Sequence, residues 1–156
     1  MSLRFLMWNV CGLNDHRKDC KVVAYLQRHH IDIAVLQETH LPPGDVSSIP
    51  RRMRGTSHVL LYVTCVGVMV WSRRKSGIQL QVVSADANCH FLVVYCIREG
   101  FSVLLVGIYG TNVYDPQFFC GLSASLAPYV DVPQMWGGDF NCVLNPALDW
   151  SKGPEW

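Results

Sequence analysis

At 156 residues, 50% of them hydrophobic and 16% charged, the chain has a globular composition that excludes intrinsic disorder. A formal net charge of +1 excludes attraction of nucleic acid by a global basic field, so any such contact must rest on local clusters. Seven cysteines, an odd number with no C-x-x-C pair, argue against a disulfide framework or a zinc site. Free, mostly buried thiols in a reducing compartment are expected instead. The opening Met1-Ser2-Leu3-Arg4 lacks the basic and long apolar regions of a secretory signal. The longest nearly apolar stretch, Val59 to Trp71, falls short of the roughly 20 residues that span a bilayer and reads as two buried strands. An intracellular, nuclear or cytoplasmic protein with no membrane partner is expected.

In chain order, Leu3 to Val10 suits a strand, and Asn14 or Asp15 can cap a helix running to about His30, with Val22, Val23 and Leu26 on its apolar face. Ile31 to Leu36 reads as a central strand covered on both faces, ending in the polar Gln37-Glu38. Further strands are expected at Val59 to Thr64, Gly67 to Trp71 and Leu80 to Ser84. A hairpin then pairs Phe91 to Ile97 with Phe101 to Ile108 through Arg98-Glu99-Gly100. Asp115 caps a second helix with Pro116 at its first position and Phe119, Leu122 and Leu126 on one face. A last strand near Met135 to Phe140 delivers Asp139. Hairpins mixed with helix crossovers predict an α/β fold, α+β on a stricter definition: a sandwich of mixed β-sheets with outer helices.

Polar residues interrupt the apolar pattern where strands end. They are Asn9 in Trp8-Asn9-Val10-Cys11-Gly12-Leu13, Glu38 in Leu36-Gln37-Glu38-Thr39-His40-Leu41, Tyr109 in Ile108-Tyr109-Gly110-Thr111-Asn112, and Asp139 and Asn141 in Gly137-Gly138-Asp139-Phe140-Asn141. Hard oxygen donors of this kind suit Mg²⁺, which needs only one or two protein carboxylates beside water and a substrate phosphate. Phosphate ester chemistry follows, with Asn and Tyr donating to phosphate oxygens.

The set resembles the exonuclease-endonuclease-phosphatase superfamily, and its wording is closest to the endonuclease domain at the front of LINE-type (non-LTR) retrotransposon polyproteins. The resemblance runs from Leu3 to about Lys152, and residues 1–156 are expected to form one such domain, incomplete at its C-terminal end. The family's back portion, with strands of the second sheet and a Ser-Asp-His motif, has no counterpart here; no Ser-Asp-His occurs in the sequence. Carried over by resemblance, Glu38 is a metal ligand and Asn9 belongs to the same metal and phosphate site. Tyr109 contacts the scissile phosphate, Asp139 orients or activates the attacking water, and Asn141 hydrogen-bonds the phosphate and supports the histidine. The resemblance implies Mg²⁺, with Mn²⁺ possible, as cofactor and DNA as partner of the complete domain; no obligate protein partner is implied. Gly110-Thr111-Asn112 stands where related elements more often read Ala-Pro-Asn, and Cys11 where many carry a polar or basic residue.

The resemblance implies a divalent-metal DNA endonuclease whose chain alone is inactive for lack of the Ser-Asp-His segment. The alternatives are a non-catalytic retrotransposon remnant and a superfamily member acting on abasic DNA or a phospholipid or phosphoinositide. The six histidines read as surface or structural groups; His40 lies two residues after Glu38 at a spacing that matches no role. The clusters Arg51-Arg52-Arg54 and Arg73-Arg74-Lys75 could follow a DNA backbone, although such runs are usually solvated loops.

Overall fold

A strand sends successive side chains to opposite faces, so strands as apolar as these must be covered on both sides. The computed structural model, which describes residues 2–13, 15–41, 57–63, 67–86, 90–111 and 115–142, shows how that is done. One sheet holds β1 (Phe5–Asn9), β2 (Ile33–Gln37), β3 (Ser57–Val63) and β4 (Val68–Arg73) in the order β1-β2-β4-β3. The other holds β5 (Gln79–Ala85), β6 (Phe91–Arg98), β7 (Phe101–Tyr109) and β8 (Gln134–Asp139) in the order β5-β6-β7-β8. Two pairs are parallel, β1 with β2 and β7 with β8. Parallel neighbours need a crossover, and helices α1 (His16–Arg28) and α2 (Pro116–Leu126) lie in the two connections.

Alternation sorts the core into three layers. Ile33, Val35, Val68 and Val70 of the first sheet meet Leu92, Val94, Val103 and Leu105 of the second between the sheets. The intervening Ala34, Leu36, Met69 and Trp71 face Val22, Val23 and Leu26 of α1. Val93, Leu104, Val106 and Ile108 face Phe118, Leu122 and Leu126 of α2. The layers are therefore helix, sheet, sheet, helix, the expected sandwich of mixed sheets with outer helices. Both helices start on a side-chain cap: Asp15 accepts from the Arg17 N–H at 2.9 Å and Asp115 from the Gln117 N–H at 3.0 Å. The hairpin forms with Arg98 paired to Phe101, leaving Glu99-Gly100 as its turn, with Gly100 at φ 70°.

Three expectations need correction. Phe118, not Phe119, shares the buried face of α2; Phe119 is 39% exposed, because Phe118, Leu122 and Leu126 keep the i, i+4, i+8 spacing of a single stripe. Among the described cysteines only Cys96 is buried, while Cys11, Cys120 and Cys142 are exposed and Cys20 is intermediate. Cys96 lies between the sheets, where burial pushes its thiol up to about 12, whereas Cys120 is on the solvent side of α2 and Cys11 is in a loop. Finally, Arg73 pairs with Asp32, which precedes β2 and also accepts from the Arg4 N–H. That places Arg73 at the end of the sandwich away from the polar strand ends, so it is not a free cation beside them. The cluster Arg51-Arg52-Arg54 lies outside the described residues.

Candidate active site

The parity that builds the core also builds the site. In β1 the inter-sheet positions are Phe5 and Met7, in β2 Ile33 and Val35, in β7 Val103 and Leu105, and in β8 Met135. Further along the same parity, two residues on in β1 and β2 and four on in β7 and β8, the same face carries Asn9, Gln37, Tyr109 and Asp139. Asn9 lies opposite Gln37 and Tyr109 opposite Asp139 in the two parallel ladders. Parallel strands end together, so two strand ends from each sheet deliver polar groups to one rim of the inter-sheet space.

Glu38 follows directly and is turned into the site by its backbone, which is left-handed at φ 51°. Its carbonyl accepts from the Gly12 N–H at 2.5 Å, and the flanking Thr39 N–H donates to the Gly67 carbonyl at 3.1 Å. Cys11, His40 and Asn141 also hold positive φ, at 47°, 52° and 46°. Four of the five non-glycine residues with positive φ among the described residues thus gather at this rim, and such strain persists only where the surroundings over-determine it. On the opposite strand, Gly138 adopts φ 144°, and a Cβ there would run into the Ile108 backbone; a Cβ on Gly137 would meet the Met7 thioether. The double glycine lets β8 pass close to both β7 and β1 just before Asp139.

The electrostatics join the two halves. Hydrogen bonding from Asn9 is the main cause holding the Glu38 carboxyl below the usual glutamate range; Tyr109, the charge of His40 and Cys11 act the same way, against a smaller effect of burial. Burial chiefly pushes the Tyr109 phenol up, reinforced by the hydrogen bond to Glu38 and the charges of Glu38 and Asp139, while Asn141 opposes. Tyr109 therefore senses both carboxylates and the Asn141 amide. Asp139 accepts from the Asn141 N–H at 3.0 Å, and the Asn141 amide donates to the Gly110 carbonyl at 2.6 Å. The Asn9 oxygen accepts from the Cys11 N–H at 3.0 Å and its thiol at 3.4 Å, so in this arrangement the amide N–H of Asn9 faces Glu38.

All five residues singled out in the sequence thus come to one place, and four more join them. Gln37 is 2% exposed and shares the parity of Ile33 and Val35; its amide nitrogen has no hydrogen-bond partner among the described residues. The period-two pattern of β2 could have marked it. Cys11 and His40 act on Glu38 through loop backbone that no periodicity reveals. Lys18, on the first turns of α1, donates to the Cys11 carbonyl at 2.5 Å and brings a cation to the same loop. Among the described residues no group of three or more His, Cys, Asp and Glu side chains gathers as a metal cage. The donor set nevertheless fits a hard divalent cation of the Mg²⁺ kind, for which one ionised carboxylate with amide and water oxygens suffices.

The fold and the sequence agree with known proteins. The endonuclease domain of TRAS1, a telomere-specific non-LTR retrotransposon, superposes with a TM-score of 0.66 at 12% identity, over 91% of this chain and 60% of that one. D. rerio TDP2, solved with a single-strand DNA product, gives 0.65 at 15% identity over 90% of this chain and 61% of that one. An AP endonuclease from Archaeoglobus fulgidus gives 0.65 at 18% identity over 93% and 60%. This chain spans about 60% of the length of each of these three. With residues 7–151 matching the family model as well, the chain belongs to the Endonuclease/Exonuclease/phosphatase family.

Proposed function

We propose that the chain is the front part of a divalent-metal-dependent DNA endonuclease domain of the retrotransposon type, competent to hydrolyse phosphodiesters only when a back portion completes it. The observation that carries this reading is the delivery of Asn9 and Gln37-Glu38 from one sheet and of Tyr109 and Asp139 from the other to one rim of the inter-sheet space. Glu38 is the residue that would hold Mg²⁺ or Mn²⁺, and Asn9 fixes its orientation through its amide N–H. A bound divalent cation would supply charge neutralisation at the phosphate and at the leaving oxygen. Tyr109, kept as a neutral phenol, donates to a non-bridging phosphate oxygen. Asp139, steadied by the Asn141 N–H, accepts a proton from the attacking water, and Asn141 adds a donor beside the phosphate. The histidine of a Ser-Asp-His segment is absent from the sequence, and loss of a positioned acid or base costs about 10² to 10⁴ in rate.

Plasmid nicking with Mg²⁺ tests the reading. The unextended chain should show no turnover. A single-chain fusion to the back portion of the TRAS1 endonuclease domain should nick, and Asp139→Asn or Glu38→Gln should abolish the nicking. Asp139-dependent nicking by the unextended chain would overturn the role given to the missing segment. Nicking by the fusion that survives both substitutions would overturn the site.

A further inference from the structure

Four of the chain's 13 lysines and arginines, Arg17, Lys18, Lys21 and Arg28, fall within the 13 residues of α1, with one acid, Asp19, which is buried. The rest of the chain then holds nine such cations against eleven acids, so α1 is a basic face on an otherwise slightly acidic molecule. At about 100° per residue, Arg17, Lys21 and Arg28 fall within about 40° of one another, in a stripe roughly 16 Å long. All three are exposed, and among the described residues none of them has an ion pair. This arrangement works against the helix. Arg17 and Lys18 lie in the first turn, at the positive end of the macrodipole, and Arg17 and Lys21 are like charges at i, i+4. Helix stability alone selects acids first and an acid beside each cation, so the stripe answers to something outside the helix.

Toward β1 the stripe is flanked by rings. Tyr25, 41% exposed, has its ring centroid 5.0 Å from that of Trp8 in β1 and 4.2 Å from that of His29. Trp8 is half-buried against the core beneath α1, which sets this ladder of three rings on a packed base. Lys18 donates to the Cys11 carbonyl at the rim of the site, and the Arg4 guanidinium donates to the His29 carbonyl at the far end of the helix. Cations and rings thus run together from the site down the outside of the first sheet. A row of cations follows any phosphate backbone, but exposed rings beside it find faces to stack on only where bases are unpaired. An acidic peptide would satisfy the cations and leave the rings unused.

We propose that the outer face of α1, together with Trp8, is a binding surface for single-stranded DNA, with phosphates along Arg17, Lys21 and Arg28 and bases stacked on the Tyr25 ladder. The inference rests on the endonuclease reading and narrows its substrate to DNA that carries an unpaired strand leading away from the cleavage site along the first sheet.

The test reads binding in EDTA, so that no cleavage enters. A fluorescent thymidine strand of about 12 nucleotides, within the ~4–16 that single-strand binding folds cover, is titrated by anisotropy with the full chain and with its fusion to the TRAS1 back portion. Affinity should fall with salt at a log–log slope of about −2, as for three phosphates at about −0.7 each. Combined Arg17→Glu, Lys21→Glu and Arg28→Glu should weaken binding by about tenfold or more, and Arg17→Lys with Arg28→Lys should keep it within about twofold. Tyr25→Ala should weaken it by about fivefold or more, and 5-iodouracil in the strand should photo-crosslink to Trp8 or Tyr25. Circular dichroism checks that each variant is folded. Unchanged affinity on charge reversal or in Tyr25→Ala would overturn the proposal, as would a crosslink confined to other elements. So would a duplex of the same length bound as tightly, or a uridine RNA bound about tenfold more tightly. Single-strand binding through α1 without Glu38-dependent nicking by the fusion would keep the surface and remove the endonuclease reading; nicking without such binding would do the reverse.

Discussion

Glu38 and Tyr109 are the residues on which the two sheets meet, and each should report on the other. Because the Glu38 carboxyl is held below its ordinary 4.5, the folded state favours its ionised form. Its contribution to stability is fully present above that value and is lost as pH falls through the lowered one. Metal affinity should follow the same course, flat above about pH 5 and weakening below it in calorimetric titration. Glu38→Gln should remove most of that metal binding. Tyr109 has the opposite sign: its pKa is raised above 10.0, so the folded state favours the neutral phenol and loses stability as pH rises past the ordinary value. Ultraviolet titration should show Glu38→Gln lowering the Tyr109 pKa without restoring it fully, since burial, the larger cause, remains. No change on removing Glu38 would mean that the two side chains are not in contact. Gly138→Ala should destabilise by about 2 kcal/mol or more in urea unfolding, since the new Cβ meets Ile108 backbone at a left-handed φ.

At the scale of the element, α2 separates what a helical pattern can and cannot say. Its neighbouring phenylalanines differ only in which side of the helix they occupy. Phe118→Ala should cost about 3 to 5 kcal/mol, as for a buried aromatic packed against Phe91 and Ile108. Phe119→Ala should stay under about 1 kcal/mol, because its ring is exposed at 39% and meets that of Phe118 edge-on. Equal losses would mean that α2 is rotated relative to its sheet. Apart from the Lys18 that α1 brings to the Cys11 loop, the two crossover helices act on the site through topology: each returns the chain so that a second strand runs parallel to the first, and parallel strands end side by side.

For the whole molecule, the decisive feature is that the polar rim and the edge strands β1 and β8 are on the same side. Among the described residues no strand pairs with either edge, and an unpaired edge recruits other edges, so the chain alone should associate in a concentration-dependent way and express mostly insoluble. Trp136→Lys, which places a charge on the exposed side of β8, should raise the soluble fraction without altering far-ultraviolet circular dichroism. A soluble wild-type monomer with one cooperative unfolding transition would show the described sandwich to be self-sufficient.

By itself the sequence determined the strands, the Asp115 cap, the hairpin and the five polar residues at strand ends, because each is a local signal: period two, a capping aspartate, a break in an apolar run. The choice of Asp15 over Asn14 as the first cap came from the structure. Membership of the family followed from Gln37-Glu38 and Gly137-Gly138-Asp139 read together. Only the tertiary structure decided that Asn9 and Glu38 from one sheet face Tyr109 and Asp139 from the other, since nothing local specifies which faces pack. It alone brought in Gln37, whose role depends on the parity of β2 relative to a second sheet, and His40 and Cys11, which reach Glu38 through left-handed backbone at positions where no glycine announces it. It also turned Asn9 toward Glu38 as a donor, because the Cys11 N–H, two residues on, takes its oxygen.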